Sequence, residues 1–455
     1  MLAPTGTRPP VNAVEKAWLE TRMAWLVRSF GADAMLRAEV VRPSADLKRF
    51  ERRDGTADPE AVFAFCLARM GVPATAVGFE VLDDEDPTLG GAAHWDATEE
   101  TLAEEGRPVV RVGAALAAEP PRLFAACLHE LAHQRLLGGG LLAEDDADHE
   151  PLTDLLPLFL GAGVVMANAT VVETEVWFGN TGTRTWSKLG YLNSRQLGYA
   201  LALFAHARAE SGADWRRELR LDAKAAFDTG LRYLTEAGPR LFDVRRPDLP
   251  AWPTVDALVA DLRGPRADLR VAAAWECARR DVADGRAVRA LTEHLDEPDE
   301  AAASEIARCL ASVGRRDPNV ARVFVDRLRG ARGHVANAAL DAVAALKPPW
   351  DSVRDELTSR AFGTDPSAGP AARAMAAYGM EAAGSAQRLV GVLRRCALAG
   401  DDARVAALSA LFAAVHDDPS AAAVAAFGDD EVVLAIVLDA LGVDTDPFEE
   451  DAEDA

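Results

Sequence analysis

The chain has 455 residues, enough for two or three domains with cores of their own, which excludes a mini-protein held together by staples. Apolar residues make up 49% and charged residues 27%, the balance of a soluble globular chain, which excludes disorder and collagen-like sequence. With 72 acidic against 49 basic residues the formal net charge is -23, a field that repels phosphate backbones and anionic headgroups, so neither nucleic acid nor a membrane is an expected partner.

The first residues, MLAPTGTRPPVNAVEKAW, lack the charged and apolar regions of a secretory signal, and a cytoplasmic location is the expectation. Val14, Trp18, Met23, Leu26 and Phe30 carry an amphipathic pattern that predicts one or two helices over 13–40, interrupted at Gly31. A second helix is predicted from Pro59 to Met70. Two β-favouring runs, 77–84 and 107–113, predict strands of a small sheet; the Gly- and acid-rich segment between them holds His94 and Trp95, for which a packing or loop role is expected. Helices are predicted over 120–137, 148–168 and 194–210, the last capped by Asn193 with Gln196 three residues on. The apolar run 155–172 contains Pro157, Gly161, Gly163, Asn168 and Thr170, and its uninterrupted core falls short of the roughly 20 residues a bilayer needs, so a buried core helix is expected there.

Between Ala237 and Pro253 stand four prolines among scattered charges, and the domain boundary is placed there, giving a first domain over 1–245. From 254 to 443 the sequence is self-similar: an apolar helix ending in Leu, a polar Gly/Pro/Asp turn, then an Ala-rich helix. Leu262, Leu295 and Leu328 recur 33 residues apart, and looser copies follow around 353–378 and 389–415. Helix pairs of this period must stack on neighbours to bury their faces, and the plan resembles HEAT-like repeats forming an α-solenoid. The tail 444–455 has seven acids and no base and is expected to be disordered. Cys66, Cys127, Cys277, Cys309 and Cys396 lie far apart inside apolar helical patterns and are expected as core thiols in a reducing compartment. Arg outnumbers Lys 44 to 5, a bias that points to a GC-rich, bacterial genome and carries no chemistry.

Chemistry is concentrated in AACLHELAHQRLLGGG, where His129, Glu130 and His133 form H-E-x-x-H. On a helix, residues four apart share a face, so both imidazoles can reach one metal ion with the Glu beside it. Leu123, Phe124, Cys127, Leu128 and Leu131 supply an apolar stripe, Pro120 and Pro121 open the helix and Gly138 to Gly140 close it. The segment resembles the zincin metallopeptidases, in which such a helix follows a small sheet whose edge strand holds extended peptides; RPVVRVG is the segment expected to be that strand. A catalytic zinc needs a third protein ligand. The metzincin branch would require Gly at 136 and His at 139, where this chain has Leu136 and Gly139, and is excluded. The gluzincin pattern is similar to Glu150 followed by Asp154, with Glu150 as ligand and Asp154 orienting a zinc-bound imidazole; His149, Asp148 and Glu173 are alternatives for the third position. Asp148 is placed to cap the following helix, with Pro151 in its first turn. Sixteen residues separate His133 from Glu150, which makes the connecting loop tight.

The resemblance implies a fold of α+β class, mostly helical: a zincin-like domain with a small sheet, followed by an α-solenoid. It implies a zinc-dependent hydrolase acting on a peptide or protein substrate, with His129, His133 and Glu150 as metal ligands and Glu130 as general base. A Tyr or His donor for the oxyanion is implied as well; Tyr191, Tyr199 and His206 are the candidates, and Tyr199 is the expected one. The repeats would recruit a protein partner, basic in view of the net charge. The alternative is a non-catalytic repeat scaffold with a structural or vestigial zinc site.

Overall fold

The computed structural model describes residues 7–52, 55–56, 58–84, 93–169, 171–178, 181–188, 190–364 and 366–443, with backbone alone over 171–188. The chain is mostly helical with a small sheet and divides into two units, Met1–Ala251 and Trp252–Ala455, meeting within the proline-rich stretch.

In the first unit, α1 (Ala13–Phe30) starts at a capping box in which the Asn12 side chain accepts from Glu15 N and the Glu15 side chain accepts from Asn12 N. Gly31 at φ +87° turns the chain into α2 (Ala32–Leu36), and α3 spans Pro59–Met70. Strands β1 (Gly78–Leu82), β2 (Ala93–Asp96) and β3 (Val109–Gly113) form one sheet in the order β1-β3-β2, with α4 (Glu99–Glu105) between β2 and β3. Two expectations are corrected here. The segment around His94 and Trp95 is a strand, and β3, expected at the edge, is central, parallel to β1 and antiparallel to β2. Val109, Val110 and Val112 of β3 are buried, and Arg111 reaches Glu80 on β1 and Asp96 on β2, so this strand is satisfied by neighbours on both sides.

Next come α5 (Ala114–Ala117), α6 (Pro120–Leu136), α7 (His149–Pro157) and α8 (Gly163–Ala169). The continuous helix expected over 148–168 is broken: Gly161 has φ +97°, and a Cβ there would stand 2.4 Å from the Glu39 carbonyl oxygen. Val41 N donates to the Gly161 carbonyl at 2.9 Å, so the break is where the loop after α2 crosses. The stretch His149–Ala169 is long and apolar enough to cross a membrane, but most of it is buried inside the protein. Strands β4 (Val171–Phe178) and β5 (Thr181–Lys188) form an antiparallel ribbon that the hydrophobic pattern did not suggest. Then follow α9 (Ser194–Ala207), with the expected Asn193/Gln196 capping box, and α10 (Leu221–Ala237).

In the second unit the helices are α11 (Val255–Leu262), α12 (Ala267–Arg279), α13 (Gly285–Glu293), α14 (Glu300–Val313), α15 (Pro318–Leu328), α16 (Gly333–Leu346), α17 (Trp350–Ala361), α18 (Ala368–Ala376), α19 (Ala386–Leu398), α20 (Asp402–Ala414), α21 (Pro419–Phe427) and α22 (Glu431–Ala440). Within the second unit α11 packs on α12, α13 on α14, and so on to α21 on α22, while α12, α14, α16, α18 and α20 each pack on the next even-numbered helix. Leu262, Leu295 and Leu328 are all buried, as are the five cysteines, which are free thiols. Arg270 and Glu297 form a buried ion pair at 2.5 Å, and Arg270 also donates to the Gly264 carbonyl, so charge as well as apolar area joins neighbouring pairs. The acidic tail lies outside the described residues.

Candidate metal centre

Helix α6 carries the motif because its N-terminus opens on two prolines and its apolar positions, Leu123, Phe124, Cys127, Leu128 and Leu131, all find partners in the core. Its last turn ends where Leu137 N and Gly138 N both donate to the His133 carbonyl, and Gly140 at φ +66° takes the chain away. His129 and His133 thus project from a rigid element. Their rings lie 5.0 Å apart, centre to centre, and nearly perpendicular.

From α7, packed against α6, comes Glu150. Its Oε2 lies 3.4 Å from His129 Nε2 and 3.5 Å from His133 Nε2. These are long for hydrogen bonds, and this buried oxygen has no hydrogen-bond partner among the described residues. One ligand atom from each of His129, His133 and Glu150 falls within 4.8 Å of the others. A carboxylate oxygen left unpartnered between two imidazole nitrogens is costly unless a cation bridges them. Two imidazoles and one carboxylate are also the donor set that suits zinc. The residues therefore fit a divalent ion.

Asp154, one turn after Glu150, is 2% exposed. Its Oδ1 meets His129 Nδ1 at 2.9 Å, which leaves Nε2 as the nitrogen that faces Glu150 and His133. Its Oδ2 accepts from Tyr191 N at 2.6 Å and Leu192 N at 2.8 Å. The approach of the chain is possible because residue 190 is glycine: φ is +83°, and a Cβ would stand 2.7 Å from Asp154 Oδ2. Thr153 adds a hydroxyl 3.2 Å from His129 Nδ1 and donates to the Glu150 carbonyl at 2.5 Å.

The electrostatics follow from this crowding. For His129, burial opposes the charged form, but the hydrogen bond to Asp154 and the nearby carboxylates of Glu150 and Glu130 outweigh it and lift the imidazole to about 10. Burial works the other way on Glu150, yet the two imidazoles hold its carboxyl well below the usual carboxylate range. Tyr191 is pushed up by partial burial and by the charges of Glu150, Asp154 and Glu130, so its phenol stays protonated and able to donate.

Glu130 is buried and, with His129 and Tyr191, lines a recess beside the group. His133 stacks on Trp95 of β2, ring centres 6.2 Å apart and planes within 13°, while Trp95 Nε1 donates to Gln134 Oε1 at 3.0 Å. β2 thus supports a motif histidine through an aromatic residue far from it in sequence, which no local periodicity signals.

The structure brings together His129, Glu130, His133, Glu150 and Asp154. It does not bring Tyr199 to them. Tyr199 is fully buried on α9, and its hydroxyl donates to Glu20 Oε1 at 2.8 Å. Glu20 also pairs with buried Lys16 at 2.5 Å and accepts from Arg240 N and Leu241 N, so the phenol belongs to a core network. The i, i+7 spacing with His206 was that of a packed face. Tyr191 stands beside the group instead, its ring centre 6.1 Å from that of His129 and the two planes within 15° of parallel. Among the alternatives for the third ligand, His149 sits with Nε2 3.3 Å from Glu150 Oε1 and Nδ1 2.9 Å from the Asp146 carbonyl. Asp148 makes no side-chain cap, contrary to expectation; its carboxylate accepts from Trp18 Nε1 at 3.0 Å and pairs with Arg22, both on α1. Glu173 lies on β4, whose side chains are outside the described residues.

The chain matches no family model, and no curated protein or solved structure is significantly similar to it.

Proposed function

We propose that the first unit is a zinc-dependent hydrolase, a peptidase of gluzincin type, and that the second is a HEAT-like helical-repeat arm that recruits a protein partner or substrate. The observation that carries the first part is the convergence of two imidazole Nε2 atoms on one unpartnered Glu150 oxygen, with Glu130 and Tyr191 alongside. The succession of packed even-numbered helices supports the second.

His129, His133 and Glu150 would hold the ion, which when bound supplies Lewis acidity toward a carbonyl and lowers the pKa of a coordinated water toward about 7. Glu130 takes the proton of the attacking water and passes it to the leaving amine. The Tyr191 phenol donates to the oxygen on which negative charge develops. Asp154 holds His129 in one orientation and one tautomer. Among the described residues β2 is an edge strand of its sheet, and it takes over the role expected of β3, pairing with an extended peptide by strand addition.

Metal content measured on wild type, His133→Ala and Glu150→Ala tests the ligand set. About one zinc per chain in wild type, lost in both variants, is the expected result. Glu130→Gln is expected to keep the metal and lose peptide hydrolysis by a factor of about 100 or more; hydrolysis at the wild-type rate in that variant refutes the mechanism. The scaffold alternative has one observation in its favour, the nearness of His149 to Glu150, which could close the site as a fourth protein ligand. It predicts a cobalt-substituted spectrum that changes on His149→Ala and does not respond to added hydroxamate.

A further inference from the structure

Beside His129 and Glu130 lies a recess whose remaining walls are Ala125 and Ala126 of α6, Met166 and Ala169 of α8, and Leu197 of α9, with Gly190 and Tyr191. Apart from the site residues it is apolar, and three of its five apolar side chains are single methyl groups. Asp154 reaches the wall with both oxygens already engaged, Oδ1 by His129 and Oδ2 by two backbone N–H groups, so its hydrogen bonds are made within the protein and not to a ligand group. Glu130 repels an anionic one.

The volume is about 60 Å3. An apolar cavity of roughly 150 Å3 admits a benzene ring, so an aromatic side chain is too large and a group of about two to four heavy atoms fits. Tyr191 is 54% exposed and marks the side from which a ligand would come.

We propose that this recess is a selectivity pocket: it accepts a small aliphatic side chain, from methyl to isopropyl, on the substrate residue next to the reacting carbonyl, and excludes aromatic and anionic ones. The proposal rests on the hydrolase reading above. Apolar pockets discriminate by size, with about a tenfold or larger change for each methylene that fits or fails to fit. Because Ala169 and Met166 are neighbours on one short helix, filling or emptying the pocket is open to single substitutions.

The test uses the zinc-treated 455-residue chain and four probes, N-acetyl amino-acid hydroxamates with hydrogen, methyl, isopropyl and benzyl side chains. Affinities are measured by calorimetry on wild type, Ala169→Leu and Met166→Ala, with the zinc content of each sample determined alongside. In wild type the methyl and isopropyl probes are expected to bind at least tenfold tighter than the benzyl probe. Ala169→Leu is expected to remove that advantage, and Met166→Ala to bring the benzyl probe within about threefold of the isopropyl one. Equal affinities across the series, a benzyl preference in wild type, or an unchanged order in Met166→Ala overturns the pocket while leaving the zinc site in place. A wild type that takes up no zinc removes the hydrolase reading, and the pocket with it.

Discussion

Gly190 and Asp154 show how closely single residues set the geometry of the centre. The glycine is required twice, by its φ of +83° and by the carboxylate that would meet its side chain at 2.7 Å. Gly190→Ala is expected to cost about 1–3 kcal/mol in denaturant unfolding, the range for strained backbone, and to weaken zinc binding as Asp154 is displaced. Asp154→Ala acts on the other side of the contact. It leaves the Tyr191 and Leu192 N–H groups without their acceptor and His129 without its orienting partner, so a loss of about 10–100-fold in metal affinity is expected in a competitive chelator titration. Neither consequence was visible in the sequence, where Gly190 is one glycine among 34. Asp154 could be singled out, because a carboxylate before a long apolar run needs a partner, but the backbone donors that hold it come from 37 and 38 residues further on.

At the scale of elements, the small sheet is held by charge as well as by its valines. Asp96 at the end of β2 accepts from Thr98 N, Thr98 Oγ1 and Thr101 Oγ1 and pairs with Arg111 of β3. Burial raises its carboxyl, but the threonine hydrogen bonds and Arg111 outweigh that and hold it well below the ordinary carboxylate range. A depressed folded-state value means that the stabilisation is complete above the unfolded value of about 3.9 and is lost as the pH falls below it. Asp96→Asn is therefore expected to be less stable than wild type at pH 7, with a gap that narrows between pH 4 and pH 2 in equilibrium unfolding. A gap independent of pH would mean that Asp96 acts by shape alone. The helices were legible from period, caps and prolines: Pro59–Met70 and the Asn193 cap fall where the pattern put them. β2 was not, since four residues that include an exposed His94 carry no alternation to read, and they become a strand only because β3 offers a free edge to pair with. The break at Gly161 was equally silent, because a glycine in an apolar run is compatible with an unbroken helix until another chain segment crosses it.

Over the whole molecule, the two units use different ways of burying apolar surface. The first wraps α6 between helices and a sheet; in the second, α11 to α22 pack in consecutive pairs and the even-numbered helices also pack on one another. Leu295, one of the three leucines at the 33-residue period, is 3% exposed, and Leu295→Ala is expected to destabilise the second unit by about 2–5 kcal/mol, measured by chemical denaturation. What the sequence by itself determined is whatever depends on local periodicity: helix positions, the two histidines on one helical face, and the acid pair one turn apart on the next helix. Only the tertiary structure decided which strand is at the edge, that Tyr191 and not Tyr199 stands beside His129, that Asp148 turns to Trp18 and Arg22 and not to its own helix end, and that Trp95 backs His133. The physical reason is the same in each case. Spacing on one element follows from the backbone repeat, whereas a partner far along the chain is chosen by competition among everything that packs nearby, and a tyrosine at helical spacing looks alike whether its hydroxyl ends on a buried glutamate or at a metal centre.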